Sequence, residues 1–413
     1  MIIIIDYGIY KNKNLNRIII GDFFVNKKLL IKIFIKILQF ILILLFILNR
    51  LHLKNNYFIS KILSIYKHYI KDCSNLKIYK RSKIRSNIPY VSLCLPAYNM
   101  KNYIERAILS ILNQSFQDFE IIIVNDYSND STRDIIIKLQ LKDDRIRLIN
   151  HSKNLGVYTS RVDAILSSRG KYIILMDPDD MILNPELLEN LYNYNLKYNL
   201  DIIEFSVICY IERINSYKIF DKYYHYHNFK KPIIFQPELS DIFFYYPRTY
   251  NHSRIHCRVI WNKIIRRKVL LNSIFYIGDY FYKEFFITAE DTMINIICLH
   301  FSQNYSNINL PGYMYNIRQI SMTHGKSNKK KNKLFCYNHL LYLKRLYSYI
   351  KDFNKSRNFL YYELISIHKL LTQFKKFSKK YKKELKKFYN EICNDKYASE
   401  NFKIYINNLA SFL

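Results

Sequence analysis

Between residues 90 and 176 the chain alternates four short apolar runs with three stretches of helical periodicity, and few folds accommodate that order. The runs are Tyr90 to Leu95 (YVSLCL), ended by Pro96, Phe119 to Val124 (FEIIIV), ended by Asn125-Asp126, then Arg145 to Ile149 and Lys171 to Met176 (KYIILM). Between them lie Tyr103 to Leu112, with apolar residues at Ile104, Ala107, Ile108, Ile111 and Leu112, then Ser131 to Leu141 and Gly156 to Leu166. Apolar residues recurring every three or four positions mark one face of a helix, whereas a short unbroken apolar run bounded by turn residues marks a strand. Strand and helix in alternation predict an α/β fold, a mostly parallel sheet joined by crossover helices. Unbroken apolar strands fit such a sheet because helices cover both of its faces.

In an open parallel sheet, ligands bind in the crevice beyond the carboxyl ends of the strands. Four polar motifs follow the four runs: Pro96-Ala97-Tyr98-Asn99, Asn125-Asp126-Tyr127-Ser128, Asn154-Leu155-Gly156 and Asp177-Pro178-Asp179-Asp180. They are expected to converge on one edge. Carboxylates as close in sequence as Asp177, Asp179 and Asp180 repel one another, and a divalent cation bridging to a pyrophosphate relieves that repulsion while giving the leaving phosphate a Lewis acid. Mg2+ and Mn2+ both suit oxygen ligands. The alternative for Asp179 or Asp180 is a cap on the helix starting near Pro185, but the position directly after an apolar strand favours the metal. Asp126 is placed to accept hydrogen bonds from a nucleobase or ribose, or to act as a turn residue before the next helix. Gly156 is one of only seven glycines and points to close backbone approach or a positive φ. Gly170 reads as the end of the preceding helix.

From Val91 to Asp180 these motifs, in the order VSLCLPAYN, ILSILNQSFQDFEIIIVND with SNDST, NLGV and GKYIILMDPDD, resemble the nucleotide-binding half of the family 2 glycosyltransferases, which have a GT-A fold. Several ordered motifs are far more specific than any one alone. The resemblance implies a sugar-nucleotide donor, a UDP-sugar being favoured. It also implies that Pro96, Ala97 and Tyr98 line the nucleotide pocket, Asp126 contacts the base, Asp177 sits near the ribose, and Asp179 binds the metal and the donor diphosphate. Downstream, Trp261 to Arg267 (WNKIIRR) is similar to the stretch that precedes the acceptor site in these enzymes, and Glu290-Asp291 to the family's E-D pair. By that match Asp291 is the general base taking a proton from the acceptor hydroxyl in an inverting displacement. Without the family context, Glu290 and Asp291 read as charges complementing a helix dipole. Tyr315 to His324 (YNIRQISMTH) resembles a further family segment and brings His324 forward as a neighbour of the diphosphate or metal. The chain departs from the family at Tyr127, commonly Gly, and at Pro178. The Q-x-x-R-W signature of processive synthases is absent, and the only Trp is Trp261, so one sugar per encounter is expected.

The rest of the chain divides into a basic segment (1–28), an apolar stretch (29–48), a polar linker (49–88), the catalytic domain (89–324) and a Lys-rich helical extension (325–413). The twenty residues Leu29 to Leu48 just match a hydrocarbon core of roughly 30 Å. Lys32 and Lys36 interrupt them, so a transmembrane span and an interfacial helix both fit. A net charge of +31 favours an anionic partner, although Lys, Ile, Asn and Tyr are inflated along the whole chain. In the extension, Phe374, Phe377, Tyr381, Leu385 and Phe388 form one stripe on an otherwise lysine-rich helix, which suits an anionic membrane surface or packing on the catalytic domain. No nucleic-acid motif is present, so no specific nucleic acid is expected. Seven scattered cysteines without a C-x-x-C pair argue against a zinc knuckle or disulfide scaffold and favour a reducing compartment. Membrane association with the catalytic domain on the cytoplasmic side follows as an expectation. Two alternatives are a sugar-nucleotide nucleotidyltransferase, which calls for a Gly-rich basic loop where Pro96 to Asn99 stands, and an inactive basic protein binding membrane or nucleic acid.

Overall fold

The computed structural model describes residues 17–20, 23–26, 88–212, 216–218, 233–236, 259–282, 284–318, 329–352 and 379–394. The chain divides into two units, Met1–Cys73 and Ser74–Leu413. In the first, β1 (Arg17–Ile20) pairs antiparallel with β2 (Phe23–Asn26). The apolar stretch 29–48 lies outside the described residues, and among the described ones no helix is long and apolar enough to cross a membrane.

The second unit is built on one sheet. Its first half is the expected alternation: β3 (Val91–Ala97), α1 (Ile104–Leu112), β4 (Phe119–Asn125), α2 (Thr132–Gln140), β5 (Ile146–Asn150), α3 (Val157–Ser167) and β6 (Tyr172–Leu175). β3 and β4 are buried along their whole length, which is why their sequences carry no alternation. β3 pairs in parallel with β4 and β6, and β4 in parallel with β5. The carboxyl ends of these strands therefore share one edge. Gly170 does not end the helix, which stops at Ser167 with Ser168 as its cap. A Cβ there would come within 2.6 Å of the Ser92 backbone nitrogen, so the residue is glycine because β3 passes against it.

The second half changes direction. It comprises β7 (Met181–Ile182), α4 (Leu187–Tyr198), β8 (Ile202–Ile211), β9 (Ser216–Lys218), β10 (Ile234–Phe235), β11 (Lys263–Arg266), α5 (Arg267–Ile277), α6 (Glu290–Phe301) and β12 (Asn304–Ile317). β11 enters between β6 and β8, antiparallel to both, and β12 runs parallel to β8. β7 and β10 pair antiparallel with β12, and β9 with β8. The sheet is thus mixed and not mostly parallel, with the order β10-β12-β8-β11-β6-β3-β4-β5. β11 leads straight into α5, which packs beside α3.

Among the described residues two further helices follow, α7 (Lys329–Asp352) and α8 (Lys379–Cys393). Leu343 and Leu346 of α7 and Leu385, Phe388 and Ile392 of α8 are buried in the same apolar cluster as Ile294 and Ile297 of α6 and Val162 and Ile165 of α3. Burying each such side chain contributes about 1.5–3 kcal/mol. The part of the lysine-rich stripe that is described, Leu385 and Phe388, is therefore packed against protein. Phe374 and Phe377 lie outside the described residues. Cys94, Cys209 and Cys298 are buried thiols, and burial pushes each of them up, keeping the sulfur protonated.

Candidate functional site

The loops that leave β3 and β4 are tied together before any ligand is considered. The Asn99 amide donates to Ser128 Oγ (3.0 Å), and the Asn129 amide to Asn99 Oδ1 (3.0 Å). Pro96 and Ala97 are the buried last residues of β3, and Tyr98 follows with 44% of its surface exposed. Asn99 and Tyr127 both have positive φ, 55° and 61°. Tyr127 thus stands in the left-handed conformation that glycine adopts without steric cost, which explains why a glycine is common at that place.

Asp126 is buried and its carboxylate is engaged by the chain itself. Leu155 N donates to Oδ1 and Gly156 N to Oδ2, both at 2.8 Å, and the His151 ring nitrogen Nδ1 lies 2.8 Å from Oδ1. The other ring nitrogen meets Asp163 Oδ2 at 2.9 Å. Asp126 therefore fastens the end of β4 to the loop that opens α3. Gly156 has φ +92°, and a Cβ on it would lie 3.2 Å from the Phe286 carbonyl oxygen, so both readings of that glycine hold together.

After β6 come the acidic residues. One carboxylate oxygen from each of Asp177, Asp179 and Asp180 lies within 4.8 Å of the others. Asp177 Oδ1 accepts from Arg161 NH2 at 2.7 Å, and Asp179 Oδ2 pairs with Arg318 Nε at 2.5 Å. Asp180 is fully buried and spends both oxygens on β12, accepting from Tyr313 OH (2.6 Å) and the Asn316 amide (2.8 Å). Burial and the Asp177 charge push Asp179 up to about 6 against the pull of Arg318. Burial and both neighbouring aspartates push Asp180 well above its ordinary value. Three crowded carboxylates are a donor set for a hard divalent cation, and the contacts with Arg161 and Arg318 leave a second oxygen on Asp177 and on Asp179 for it. The residues fit such an ion: Asp177 and Asp179 as ligands, with Asp180 anchoring the turn.

The E-D pair arrives from the far end of the fold. Ala289, with φ 64°, breaks the chain into α6, whose first residues are Glu290 and Asp291. Glu290 is buried and takes Arg161 NH1 at 2.5 Å, so one guanidinium holds both Asp177 and Glu290. Asp291 is pushed up to about 7, first by burial and then by the Glu290 charge, while Arg161 opposes both. The sequence-derived residues from Pro96 to Asp180 thus share one sheet edge, and Glu290-Asp291 joins them through Arg161. His324 lies outside the described residues. Sequence reading passed over Arg161, His151, Tyr313 and Arg318. A charged residue at a core-facing helical position was the one available signal, and it marks only Arg161, buried on α3.

Residues 92–272 match the model of glycosyl transferase family 2. An uncharacterized glycosyltransferase of Haemophilus influenzae is 37% identical over 114 residues, 28% of this chain and 45% of that protein. The uncharacterized glycosyltransferase MJ1057 of Methanocaldococcus jannaschii is 41% identical over 127 residues, 30% of this chain and 43% of that protein. The chain spans less than half the length of either relative. Among solved structures, S. aureus TarS 1-349 in complex with UDP-GlcNAc superposes with a TM-score of 0.51 at 16% identity, over 78% of this chain and 88% of that one. At that identity the likeness concerns the fold alone.

Proposed function

We propose, from the premise that residues 92–272 form a family 2 glycosyltransferase domain, that this chain transfers one sugar from a nucleoside-diphosphate sugar to a hydroxyl acceptor with inversion, using a divalent metal. The observation that carries the reading is Arg161 bonded at once to Asp177 and Glu290, which brings the E-D pair of α6 to the acidic edge after β6. A UDP-sugar is the favoured donor, supported by the fold shared with a protein solved in complex with UDP-GlcNAc.

In this reading the nucleotide lies across the loops after β3 and β4, beside Pro96, Ala97, Tyr98 and Asp126, with Asp177 near the ribose. Asp179, with the remaining oxygen of Asp177, would hold Mg2+ or Mn2+, which when bound would neutralise charge on the leaving diphosphate. Asp291 accepts the acceptor's hydroxyl proton. The freed oxygen bonds to the anomeric carbon as the bond from that carbon to the diphosphate oxygen breaks on the opposite face, which inverts the centre. With a value near 7, Asp291 is matched to that proton transfer near neutral pH. The buried surroundings of Glu290 and Asp180 keep water from screening these charges.

The test is transfer from a panel of UDP-sugars with Mn2+. Asp179→Asn and Asp291→Asn should each lower turnover by about 100-fold or more, and the product should carry the opposite anomeric configuration to the donor. Wild-type rates in either variant, or a retained configuration, would sink the assignment of roles.

A further inference from the structure

The donor-side and acceptor-side carboxylates come from elements far apart in sequence, and something must set their spacing. Asp177 ends the parallel half of the sheet, whereas Glu290 and Asp291 begin a helix that follows the antiparallel half. Among the described residues, one side chain bonds to both. Arg161 sits on α3, is 4% exposed, and places NH2 at 2.7 Å from Asp177 Oδ1 and NH1 at 2.5 Å from Glu290 Oε1. The two terminal nitrogens of a guanidinium lie in one plane at a fixed separation, so a fork that engages two carboxylates fixes their relative position and angle. Asp291 is the next residue after Glu290, within the first turn of α6, and it moves with that partner.

The backbone around this contact is docked in the same sense. The Tyr158 amide donates to the Phe286 carbonyl at 3.3 Å, and Phe286 stacks on Phe281 at 4.0 Å between ring centres while Tyr158 meets both rings edge-on. Gly156 leaves room for that approach, since a Cβ there would press on the same carbonyl. The amino-terminal half of α3 is thus held against the loop that presents α6, and Arg161 is the charged end of the contact.

We propose that Arg161 is a positioning residue, a clasp between Asp177 and Glu290 that fixes where Asp291 stands relative to the donor-side carboxylates. The proposal rests on the transferase reading above. It assigns Arg161 no contact with substrate. Its effect falls on the rate of the bound complex and not on donor affinity, because a base displaced by about 1 Å can lose on the order of 100-fold in rate while the donor's own contacts stay in place.

Steady-state kinetics with the UDP-sugar that the wild type turns over, together with calorimetric titration of UDP and Mn2+, tests this. Arg161→Gln should lower kcat about 100-fold, and Arg161→Lys, which keeps the charge but not the planar fork, should recover part of that loss. Both should keep the donor KM and the UDP affinity within about threefold, since the loops after β3 and β4 are tied to each other without Arg161 and the Asp177 amide donates to Tyr313 OH at 3.2 Å. A guanidinium that only neutralised buried acids would lower the melting temperature and leave kcat alone, and that outcome overturns the clasp. A loss confined to KM also overturns it, by making Arg161 a donor-binding group. If neither variant folds, Glu290→Gln decides: kcat must fall by a similar factor at unchanged KM, and wild-type kcat there refutes the proposal. Absence of turnover in the wild type with every donor would instead sink the transferase reading itself.

Discussion

At the scale of single residues, Asp291 carries the sharpest expectation, because one titration acts on activity and stability with opposite signs. Burial and Glu290 raise its carboxyl to about 7, well above an unfolded value near the ordinary range for Asp of about 4. The folded state therefore binds the proton more tightly than the unfolded one. This group's contribution to stability is fully present below about pH 4 and is lost as pH rises through about 7. In the proposed role of base Asp291 must be ionised to work, so kcat should rise over the same interval. At saturating donor, kcat measured from pH 5 to 9 should fall about tenfold per unit below an inflection near 7. A profile flat down to pH 5 would remove Asp291 from the role of base. Residue-scale features were unevenly legible in the sequence. Asp177, Asp179 and Asp126 stood out because carboxylates at strand ends have few other reasons to cluster. Arg161 did not, because its meaning depends on Glu290, a partner 129 positions away that no local pattern reveals.

At the scale of elements, the loop from Phe285 to Ala289 decides whether the E-D pair is presented at all, and α7 holds that loop. Asn338 is fully buried, accepts from the Ile287 amide through Oδ1 at 2.9 Å and donates from Nδ2 to the Phe285 carbonyl at 3.2 Å. Replacing it with alanine leaves both backbone groups without that partner in a partly buried setting, at a cost of about 1 kcal/mol. Asn338→Ala should therefore lower the denaturant midpoint and reduce kcat through a loosened α6 start. An unchanged midpoint would mean that α7 is dispensable to the site. The first four strands of the sheet were legible because each is a mostly apolar run that ends in turn residues. β8 and β11 were not, and the reason is a buried charge pair. Glu204 of β8 and Lys263 of β11 are 3% and 1% exposed, 3.1 Å apart, with Tyr305 OH donating to Glu204 at 2.8 Å and Lys263 Nζ to the Val259 carbonyl at 2.7 Å. Polar residues in a strand read as a solvent face. Here they are satisfied inside by partners distant in sequence, so no local pattern announces the antiparallel insertion.

At the scale of the whole molecule, the site is assembled from both halves of the mixed sheet and concentrates negative charge where they meet. Asp177, Asp179, Asp180, Glu290 and Asp291 face Arg161 and Arg318, and burial together with neighbouring charge holds Asp179, Asp180, Glu290 and Asp291 above their ordinary values. An acidic cluster that two arginines only partly compensate weakens the fold that contains it, and a cation bound at Asp177 and Asp179 would offset the repulsion. Ligands that bind only the folded state add stability as RT ln(1 + [L]/Kd), about 2.7 kcal/mol at a hundredfold excess over Kd. The melting temperature should therefore rise with Mn2+ alone, rise further with Mn2+ and UDP together, and return to its starting value on chelation. UDP without metal should have a much smaller effect, because its diphosphate then meets carboxylates of like charge. Asp179→Asn removes one of those charges, so it should raise the melting temperature of the metal-free protein while abolishing most of the Mn2+ increment. If UDP stabilised the protein equally with and without metal, the acidic cluster would not be a metal site and the charge at the centre of the fold would need another partner.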